Sequence, residues 1–541
     1  MDERASSLPQ GRWAKARERA AMLEMAAHWL LALAVAAYVG LAGYNSLTRT
    51  RNFSPDSMNY VSVARNIAEG KGITQPALGF NQPHISLEVT LPPPFTSQPP
   101  LYPLAVALVG LAVPSHADAA LLVSAGCYGL ILLIGYRLAR RLYGHPEALL
   151  GLALLIAHYP LGLVSRFAWS EPLGILLALL SFILLVQSDR SRESLPRLVL
   201  AGLCAGLAFA ARYLLLPAAA VGAVALLARP GGRRIRRVAA YAAGATVPAA
   251  LVLGRNLALT GTLMGARPNP SLKSLGENLR EAGRALLGQS FESLTPEVAA
   301  PVLAVLVLSA TILLAARGRG SLGGVLWHQE RWLLVVWSFS YLALLILQRS
   351  QIHFDSIGPR LMAPASVTLA LTLGAMVARA SGLRAGPLLV LALLVALAGL
   401  RREVQLLQLP VQTDAAQVAR SGRLSWVVAH TTERDLIVGD DTMDIPFYLD
   451  RPLVFSFSPY PYTDHPEYES IAAFARRHAN RFDRVYLVLR DRYRADQDWR
   501  WAYGDFIADV VSGNMGDYPG VALVQRVGDG YVFEMRGLTE E

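Results

Sequence analysis

Two carboxylates lie just beyond apolar segments of this chain, where acid–base chemistry at a membrane surface would require them. Asp56 ends an SPD triplet shortly after the first apolar run, and Glu171 lies in a WSEP sequence. An ionised carboxylate at low dielectric is costly unless a cation, a metal ion or a hydrogen-bonded substrate is close to it. Paired acids can divide the roles of general base and metal ligand. We therefore predict that Asp56 and Glu171 are catalytic, and that they hold a divalent cation, Mg²⁺ or Mn²⁺, if the reaction uses one.

Both acids also have a structural interpretation. A serine, a proline and an acid in succession make a favourable helix start, so Asp56 would begin the helical pattern that follows it. Glu171 stands before a proline, and an acid in the first turn of a helix is favoured by the helix dipole. Both roles fit the sequence, and the expected position of the two acids on one face of the protein favours the catalytic one.

Basic and polar residues are predicted on the same face as the two acids. Guanidinium groups bind phosphate in a bidentate manner, so arginines there indicate an anionic headgroup as the ligand. The alternative for each arginine is snorkelling or pairing with loop acids. The histidines are either site residues or ordinary loop residues, although residues 351–360 place a His, an Asp and an Arg in one short loop. The predicted substrate-binding residues of this group are Lys71, His84, Arg212, Arg255, His353 and Arg360.

The composition defines the class of protein that carries these residues. Of the 541 residues, 53% are apolar and 17% are charged, which is typical of a polytopic membrane protein with a soluble appendage. The net charge of +10 comes mostly from arginine clusters between apolar runs, where they set topology, so it does not indicate nucleic acid as a partner. Cys127 and Cys204 both lie in apolar stretches and indicate neither a disulfide framework nor a cysteine-based zinc site.

Apolar runs of spanning length, separated by basic clusters, predict about eleven transmembrane helices with the amino terminus inside. The first runs from about Ala26 to Tyr44 and is predicted to be an uncleaved span, and the eighth lies between about Glu297 and Arg317. Residues 45–118 form the first outer loop. Within this loop, residues 101–113 are too few to span and are predicted to form a helix at the membrane surface.

The chain changes character near residue 401, which separates a predicted membrane domain, residues 1–400, from a small outer α/β domain, residues 401–541. Short apolar or alternating segments there predict strands, and helical patterns at 467–479 and 499–511 lie between them. The predicted strands are Asp435–Gly439, Pro452–Phe457, Arg484–Leu489 and Val521–Val527.

The motifs and their order resemble those of polytopic glycosyltransferases of the GT-C fold, in particular bacterial relatives of protein O-mannosyltransferases and lipid A aminoarabinose transferases. The resemblance covers essentially the membrane part of the chain. The residues that carry it are Ser54–Asp56 with Tyr60 and Ala64, Gln98–Pro103, Trp169–Pro172, Arg212, Arg255–Asn256 with Gly261, and Gly358–Pro364.

The resemblance implies a hexosyl- or pentosyltransferase of the bacterial cytoplasmic membrane. Such an enzyme would move a sugar from a polyprenyl-phosphate donor to a lipid, glycan or protein acceptor on the outer membrane face. Asp56 would be the catalytic base or would position the acceptor, and Glu171 would be the second acidic position. Arg212, Arg255 and Arg360 would contact phosphate.

Two further substrate-binding residues, Gln98 and Tyr102, are expected from the same resemblance. Several relatives have a lysine at the position of Gln98, and a neutral amide cannot neutralise phosphate charge. Either Lys71 or an arginine would compensate, or the donor would be held differently here. Protein mannosyltransferases have a tandem acidic pair after the first helix, whereas Asp56 is followed by Ser57. This difference weakens the case for a protein acceptor.

A transporter or flippase of a lipid-linked anion is the alternative function. Transporters also place arginines and acids in a membrane cavity, but near the bilayer midplane and beside broken helices. In this sequence the ionisable residues gather at the predicted helix ends and in outer loops, which favours surface chemistry.

Overall fold

The apolar runs of the sequence form helices, and the polar segment after them adds a small sheet. The structure, a computed structural model, describes residues 10–78, 93–186, 194–229, 233–265, 271, 273–288, 331–352, 354–439, 443–449, 451, 453–456, 482–490, 512 and 521–536. The helices are α1 (Gln10–Asn45), α2 (Pro55–Ala68), α3 (Leu101–Gly110), α4 (His116–Leu142), α5 (His145–Ile156), α6 (Tyr159–Arg166), α7 (Glu171–Val186), α8 (Leu195–Ala211), α9 (Pro217–Ala228), α10 (Arg234–Thr260), α11 (Leu275–Gly288), α12 (Trp332–Gln351), α13 (Pro359–Ser381), α14 (Ala385–Leu406), α15 (Asp414–Arg420), α16 (Gly422–His430) and α17 (Asp444–Leu449).

Within the described ranges, six helices are long and apolar enough to cross a membrane: α1, α4, α10, α12, α13 and α14. The count rises to seven if α5 and α6, which meet at a bend of 53°, form one span. Helices α7, α8 and α9 are also apolar but shorter. The predicted eighth span lies outside the described residues. The prediction of a polytopic helical membrane protein is confirmed.

Helix α3 occupies the segment predicted to lie at the membrane surface. It has 10 residues, which is about half of what a span requires. Leu108 and Leu111 at its end are exposed, as expected for a short apolar helix that faces lipid or a membrane surface.

Glycines allow α8 and α10 to pack backbone against backbone. A Cβ atom on Gly202 would lie 1.9 Å from the carbonyl oxygen of Tyr241, and one on Gly206 would lie 2.3 Å from that of Ala245. From the opposite helix, a Cβ atom on Gly244 would lie 2.0 Å from the carbonyl oxygen of Val199. Small residues at helix contacts give membrane helices the close approach on which their packing depends. This contact fixes α8, and therefore the residue that follows it, Arg212.

Five strands of the carboxy-terminal region and one strand of the first outer loop form a six-stranded sheet of order β1-β3-β2-β4-β6-β5. The first four of these strands are parallel, and β6 is antiparallel to both of its neighbours. The sequence did not predict β6, and the predicted helices at 467–479 and 499–511 lie outside the described residues. The strands are β1 (Ala77–Leu78), β2 (Leu436–Gly439), β3 (Leu453–Ser456), β4 (Val485–Arg490), β5 (Val521–Val527) and β6 (Gly530–Met535).

The sheet and the first outer loop are joined at two places. Strand β1 comes from that loop and pairs with β3 of the carboxy-terminal region. Arg65 on α2 donates hydrogen bonds to the carbonyl oxygens of Pro446, at 3.5 Å, and Phe447, at 3.2 Å. The Phe447 ring lies 4.8 Å from that of Phe53, just before α2. The helix that carries Asp56 is therefore packed on one side against α17.

Candidate active site

The four ionisable residues at the centre of the site all stand at helix ends. Asp56 is the second residue of α2, Glu171 is the first residue of α7, Arg212 directly follows α8, and Arg360 is the second residue of α13. Prolines occupy the first turns of α2, α7 and α13, where a missing N–H removes no helical hydrogen bond. The ends of these four helices thus bring distant parts of the sequence together.

Asp56 is held by its own helix cap and by two side-chain donors. Ser54 caps α2, because its Oγ accepts a hydrogen bond from the backbone N–H of Ser57 at 3.3 Å. The Asp56 carboxylate accepts a hydrogen bond from Nε2 of Gln98 at 3.1 Å and pairs with Nη1 of Arg360 at 2.6 Å. Its side chain is 31% exposed. The helix start predicted for this segment is present, and it leaves the carboxylate accessible.

Glu171 is fully buried and is held by two arginines. Its Oε1 lies 2.8 Å from Nη1 of Arg212 and 2.5 Å from Nε of Arg360. Arg360 therefore bridges Asp56 and Glu171, and the structure brings the two predicted acids together through this guanidinium. A third acid, Asp355, lies 3.5 Å from Nη1 of Arg360 and is largely exposed.

An aromatic stack that the sequence analysis did not assign to the site supports Arg360. The guanidinium lies 4.3 Å from the ring centroid of Trp169, within the range of a cation–π interaction. Trp169 in turn stacks on Phe167, with centroids 4.2 Å apart. Its Nε1 donates a hydrogen bond to Oγ of Ser54 at 2.6 Å. Trp169 thereby links the cap of α2 to Arg360. Its position two residues before Glu171 in the WSEP sequence could have indicated that it belongs to the site.

The charges around Asp56 keep it ionised. Burial would raise the pKa of Asp56, but the cations of Arg360 and Arg212 and the hydrogen bond from Gln98 together lower it below its ordinary value. At neutral pH Asp56 is therefore a carboxylate, which accepts hydrogen bonds and donates none.

Several buried polar atoms of the site have no hydrogen-bond partner within the described part of the chain. They include Oε2 of Glu171, Nε of Arg212, Nη2 of Arg360 and Oε1 of Gln98. Buried polar groups in native proteins are nearly always paired, so a cluster of four unpaired atoms in one place points to a polar ligand. The two arginine nitrogens are cationic donors, which suit an anion, whereas the oxygens of Glu171 and Gln98 are acceptors, which suit a hydroxyl group.

Arg255 and Lys71, which were also predicted to bind substrate, contact other groups in this structure. Arg255 donates to the carbonyl oxygens of Phe95, at 2.7 Å, and Ile73, at 2.9 Å, so it ties the first outer loop to α10. Lys71 is exposed and pairs with Glu69 at 2.6 Å. His84 and His353 lie outside the described residues.

Tyr102 packs beneath α2. Its hydroxyl donates to the carbonyl oxygen of Ala120 at 3.0 Å and lies 2.9 Å from Oγ of Ser124. Its ring contacts that of Tyr60, one turn after Asp56, at 5.2 Å between centroids. Tyr102 is fully buried, so in this structure it supports the helix of Asp56 from below.

A divalent cation shared by Asp56 and Glu171 does not fit this arrangement. The guanidinium of Arg360 already bridges the two carboxylates. Oε1 of Glu171 accepts from two arginines, and a cation there would face both positive charges. The two acids are therefore partners of arginine in this site.

Comparison with known proteins agrees with this architecture. Residues 97–254 match the family model described as dolichyl-phosphate-mannose-protein mannosyltransferase. A search of curated protein sequences found no match.

Solved structures give the fold. The chain is similar to ArnT from Cupriavidus metallidurans in the apo state, with 13% identity, a TM-score of 0.59, and 95% of this chain and 100% of that chain covered. The same protein bound to undecaprenyl phosphate gives 13% identity and a TM-score of 0.57, with 95% and 98% covered. The arabinofuranosyltransferase AftD from Mycobacteria gives 15% identity and a TM-score of 0.51, with 94% of this chain but 42% of that chain covered. The chain has the GT-C fold, so the fold predicted from its motifs is confirmed.

Proposed function

We propose that this chain is a membrane glycosyltransferase that moves a sugar from a polyprenyl-phosphate donor to an acceptor hydroxyl at the Asp56 end of the bundle. The observation that carries the proposal is an ionised, accessible Asp56 next to two arginines with unpaired N–H groups. The GT-C fold and the family-model match support the reaction class. The similar ArnT structure that contains undecaprenyl phosphate supports a lipid phosphate as the donor's carrier.

Asp56 acts as the general base in this mechanism. The hydroxyl of the acceptor donates a hydrogen bond to its carboxylate, and the acceptor oxygen then attacks the anomeric carbon of the donor sugar. As the new glycosidic bond forms, the bond from the anomeric carbon to the phosphate oxygen breaks, and its electron pair leaves with the lipid phosphate. The hydroxyl proton passes to Asp56. Because its pKa is lowered, Asp56 is a weak base, and the proton is transferred only when the new glycosidic bond is largely formed. Asp56 therefore contributes to the rate mainly by positioning the acceptor hydroxyl.

Arg360 and Arg212 stabilise the departing phosphate. Each is anchored to Glu171 by one nitrogen, and each keeps another nitrogen unpaired, Nη2 in Arg360 and Nε in Arg212. Donors that are fixed before the reaction stabilise developing charge without the cost of reorganisation. Glu171 is thus a positioning residue for both arginines.

The site faces the outer side of the cytoplasmic membrane in this proposal, with the carboxy-terminal domain on the same side. The support is the arginine distribution, since α4 ends in Arg140 and Arg141 at the end of the bundle opposite to Asp56. The acceptor is a lipid, glycan or protein that reaches the membrane surface.

The test is transfer of radiolabelled sugar from a panel of polyprenyl-phosphate donors by the purified full-length protein. Asp56→Asn is expected to abolish turnover while the protein stays folded. Glu69→Gln is the matched control, because Glu69 caps the end of the same helix, is exposed and pairs only with exposed Lys71 among the described residues. Turnover retained in Asp56→Asn would exclude Asp56 as the base. If no donor is consumed but labelled lipid-linked anion crosses reconstituted vesicles, the protein is a transporter.

A further inference from the structure

Two histidines meet at the end of the bundle that lies away from Asp56. Nε2 of His28 on α1 lies 2.8 Å from Nε2 of His145, the first residue of α5. Glu24 stands one turn before His28, and the potential ligand atoms of Glu24, His28 and His145 all lie within 4.8 Å of one another. Because 17 residues of α1 separate His28 from Asn45 at 1.5 Å per residue, this cluster is about 25 Å from the Asp56 end.

The hydrogen bonds around the two rings turn their Nε2 atoms toward a shared ligand. Nδ1 of His28 lies 2.7 Å from the backbone carbonyl oxygen of Glu24. A carbonyl only accepts, so Nδ1 carries the proton and the lone pair of a neutral His28 is on Nε2. Nδ1 of His145 lies 3.0 Å from the hydroxyl of Tyr136. In the structure as it stands, the 2.8 Å contact between the two Nε2 atoms needs a proton on Nε2 of His145, so the hydroxyl donates to Nδ1. With a metal ion on Nε2, the proton of His145 would be on Nδ1 and the hydroxyl would accept it. Metal-bound histidines characteristically make such a bond with the nitrogen that does not bind the metal.

The geometry points to a site for Zn²⁺ or a similar transition-metal ion, formed by Glu24, His28 and His145, and this is the inference we propose. Two imidazoles and one carboxylate, with water in the fourth position, form a common zinc ligand set, whereas Mg²⁺ and Ca²⁺ prefer oxygen ligands alone. Zn–N bonds of about 2.0–2.1 Å in tetrahedral geometry require the two Nε2 atoms to separate to roughly 3.3 Å. A small rotation of two half-buried rings provides this change.

The metal ion would fasten α1 to the rest of the bundle. The part of α1 around His28 is poorly covered, and Leu23, Trp29 and Leu33 are all exposed. One ion held by residues of α1 and α5 crosslinks these helices where apolar packing is sparse. The zinc site shares no residue with the Asp56 cluster, so the proposal of a zinc site does not depend on the proposed glycosyltransferase function.

The experiment is equilibrium dialysis of the chelator-treated, full-length protein in detergent against ZnCl₂, followed by elemental analysis. One zinc ion per chain is expected, and Co²⁺ in its place is expected to give the absorption spectrum of a tetrahedral site. His28→Asn and His145→Asn should each lower the zinc affinity by at least about a hundredfold, since each removes a direct ligand. Tyr136→Phe, which removes only the partner of His145, should lower it about 10- to 100-fold.

His430→Ala is the control, because His430 is an exposed histidine of α16 and is not among the three proposed ligands, and it should retain the zinc ion. If His145→Asn fails to fold, zinc binding is measured in His28→Asn and Glu24→Gln instead, because both residues lie on the poorly covered part of α1. Absence of stoichiometric zinc, or zinc that both histidine variants retain, would overturn the proposal.

Discussion

Two fully buried glutamates, Glu171 and Glu403, lie near the same end of the bundle, and they differ in how completely they are paired. Glu403 accepts from Arg166 through Oε1 and from Nδ2 of Asn45, at 2.8 Å, through Oε2. Glu171 accepts from Arg212 and Arg360 through Oε1, while its Oε2 has no partner among the described residues. The first glutamate completes a structural contact between α1, α6 and α14. The second leaves polar atoms available, which is the property of a site prepared for a ligand.

The sharpest way to break this comparison is to neutralise each glutamate in turn. Glu171→Gln and Glu403→Gln should each lower the free energy of unfolding by up to about 3–5 kcal/mol, because each removes a fully buried carboxylate that pairs with arginine. Only Glu171→Gln should also reduce turnover per folded molecule, by about a hundredfold, because Arg360 and Arg212 lose their anchor. Thermal unfolding and normalised sugar transfer measure the two effects. Equal loss of turnover in Glu403→Gln would remove the distinction.

Replacement of the arginines by lysine tests whether geometry or charge matters at each site. Arg360→Lys keeps the charge but cannot bridge Asp56 and Glu171 and still present an unpaired N–H, so turnover should fall about 10²- to 10³-fold. Arg166→Lys, the matched change at Glu403, should leave turnover within a few-fold of the wild type. The comparison fails if the two variants transfer sugar at similar rates.

Substitutions in the glycine contact between α8 and α10 test how much this close packing, which positions Arg212, contributes to stability. Gly206→Ala inserts a methyl group against the backbone of Ala245, so we expect the free energy of unfolding to fall by about 1–3 kcal/mol. Gly254→Ala in α10 meets nothing within 4 Å and should be neutral or stabilising by up to about 1 kcal/mol. Chemical or thermal denaturation of the two variants provides the measurement. A stability loss in Gly254→Ala equal to that in Gly206→Ala would contradict the packing argument.

The smallest expected effect is a pH dependence. The pKa of Asp56 is lowered in the folded protein, so its ionisation stabilises the fold above the unfolded value of about 3.9, and this contribution is lost as pH falls through the folded pKa. In the pH profile of kcat/KM, the apparent pKa of the acid limb should accordingly lie below the unfolded value. In Arg360→Gln the limb should move upward, because burial remains and the cation is gone, whereas Arg166→Gln should leave it in place. A pH–rate profile of the three proteins decides the point.

The membrane part of the fold was predictable because a bilayer of fixed thickness demands apolar helices of fixed length. The same constraint made the site predictable in outline, since Asp56, Glu171, Arg212 and Arg360 each end or begin a helix at one level. The cytoplasmic orientation of the amino terminus stays a prediction, as do the roles of the site residues.

The contacts between site residues had no local signal in the sequence, even where a motif such as WSEP contains the residue. The hydrogen bond from Gln98 to Asp56 and the stack of Trp169 on Arg360 depend on how separate loops meet. From the resemblance, Gln98 was expected to bind substrate but without neutralising phosphate charge. In the structure its amide instead donates a hydrogen bond to Asp56. Tyr102 was expected to contact substrate, and only the packing of α3 against α4 shows how its hydroxyl is used. Periodicity and composition cannot report contacts of this kind.

The pairing of β1 with β3 has a consequence for the order in which the protein folds. Strand β1 lies in the loop between Asp56 and Gln98, but its partner is made several hundred residues later. In the orientation proposed above, this loop crosses the membrane early in synthesis, before the segment that contains β3 has been made. Such a long-range contact is slow to form. We therefore expect the loop between Asp56 and Gln98 to take its final position only after residues 453–456 have been synthesised.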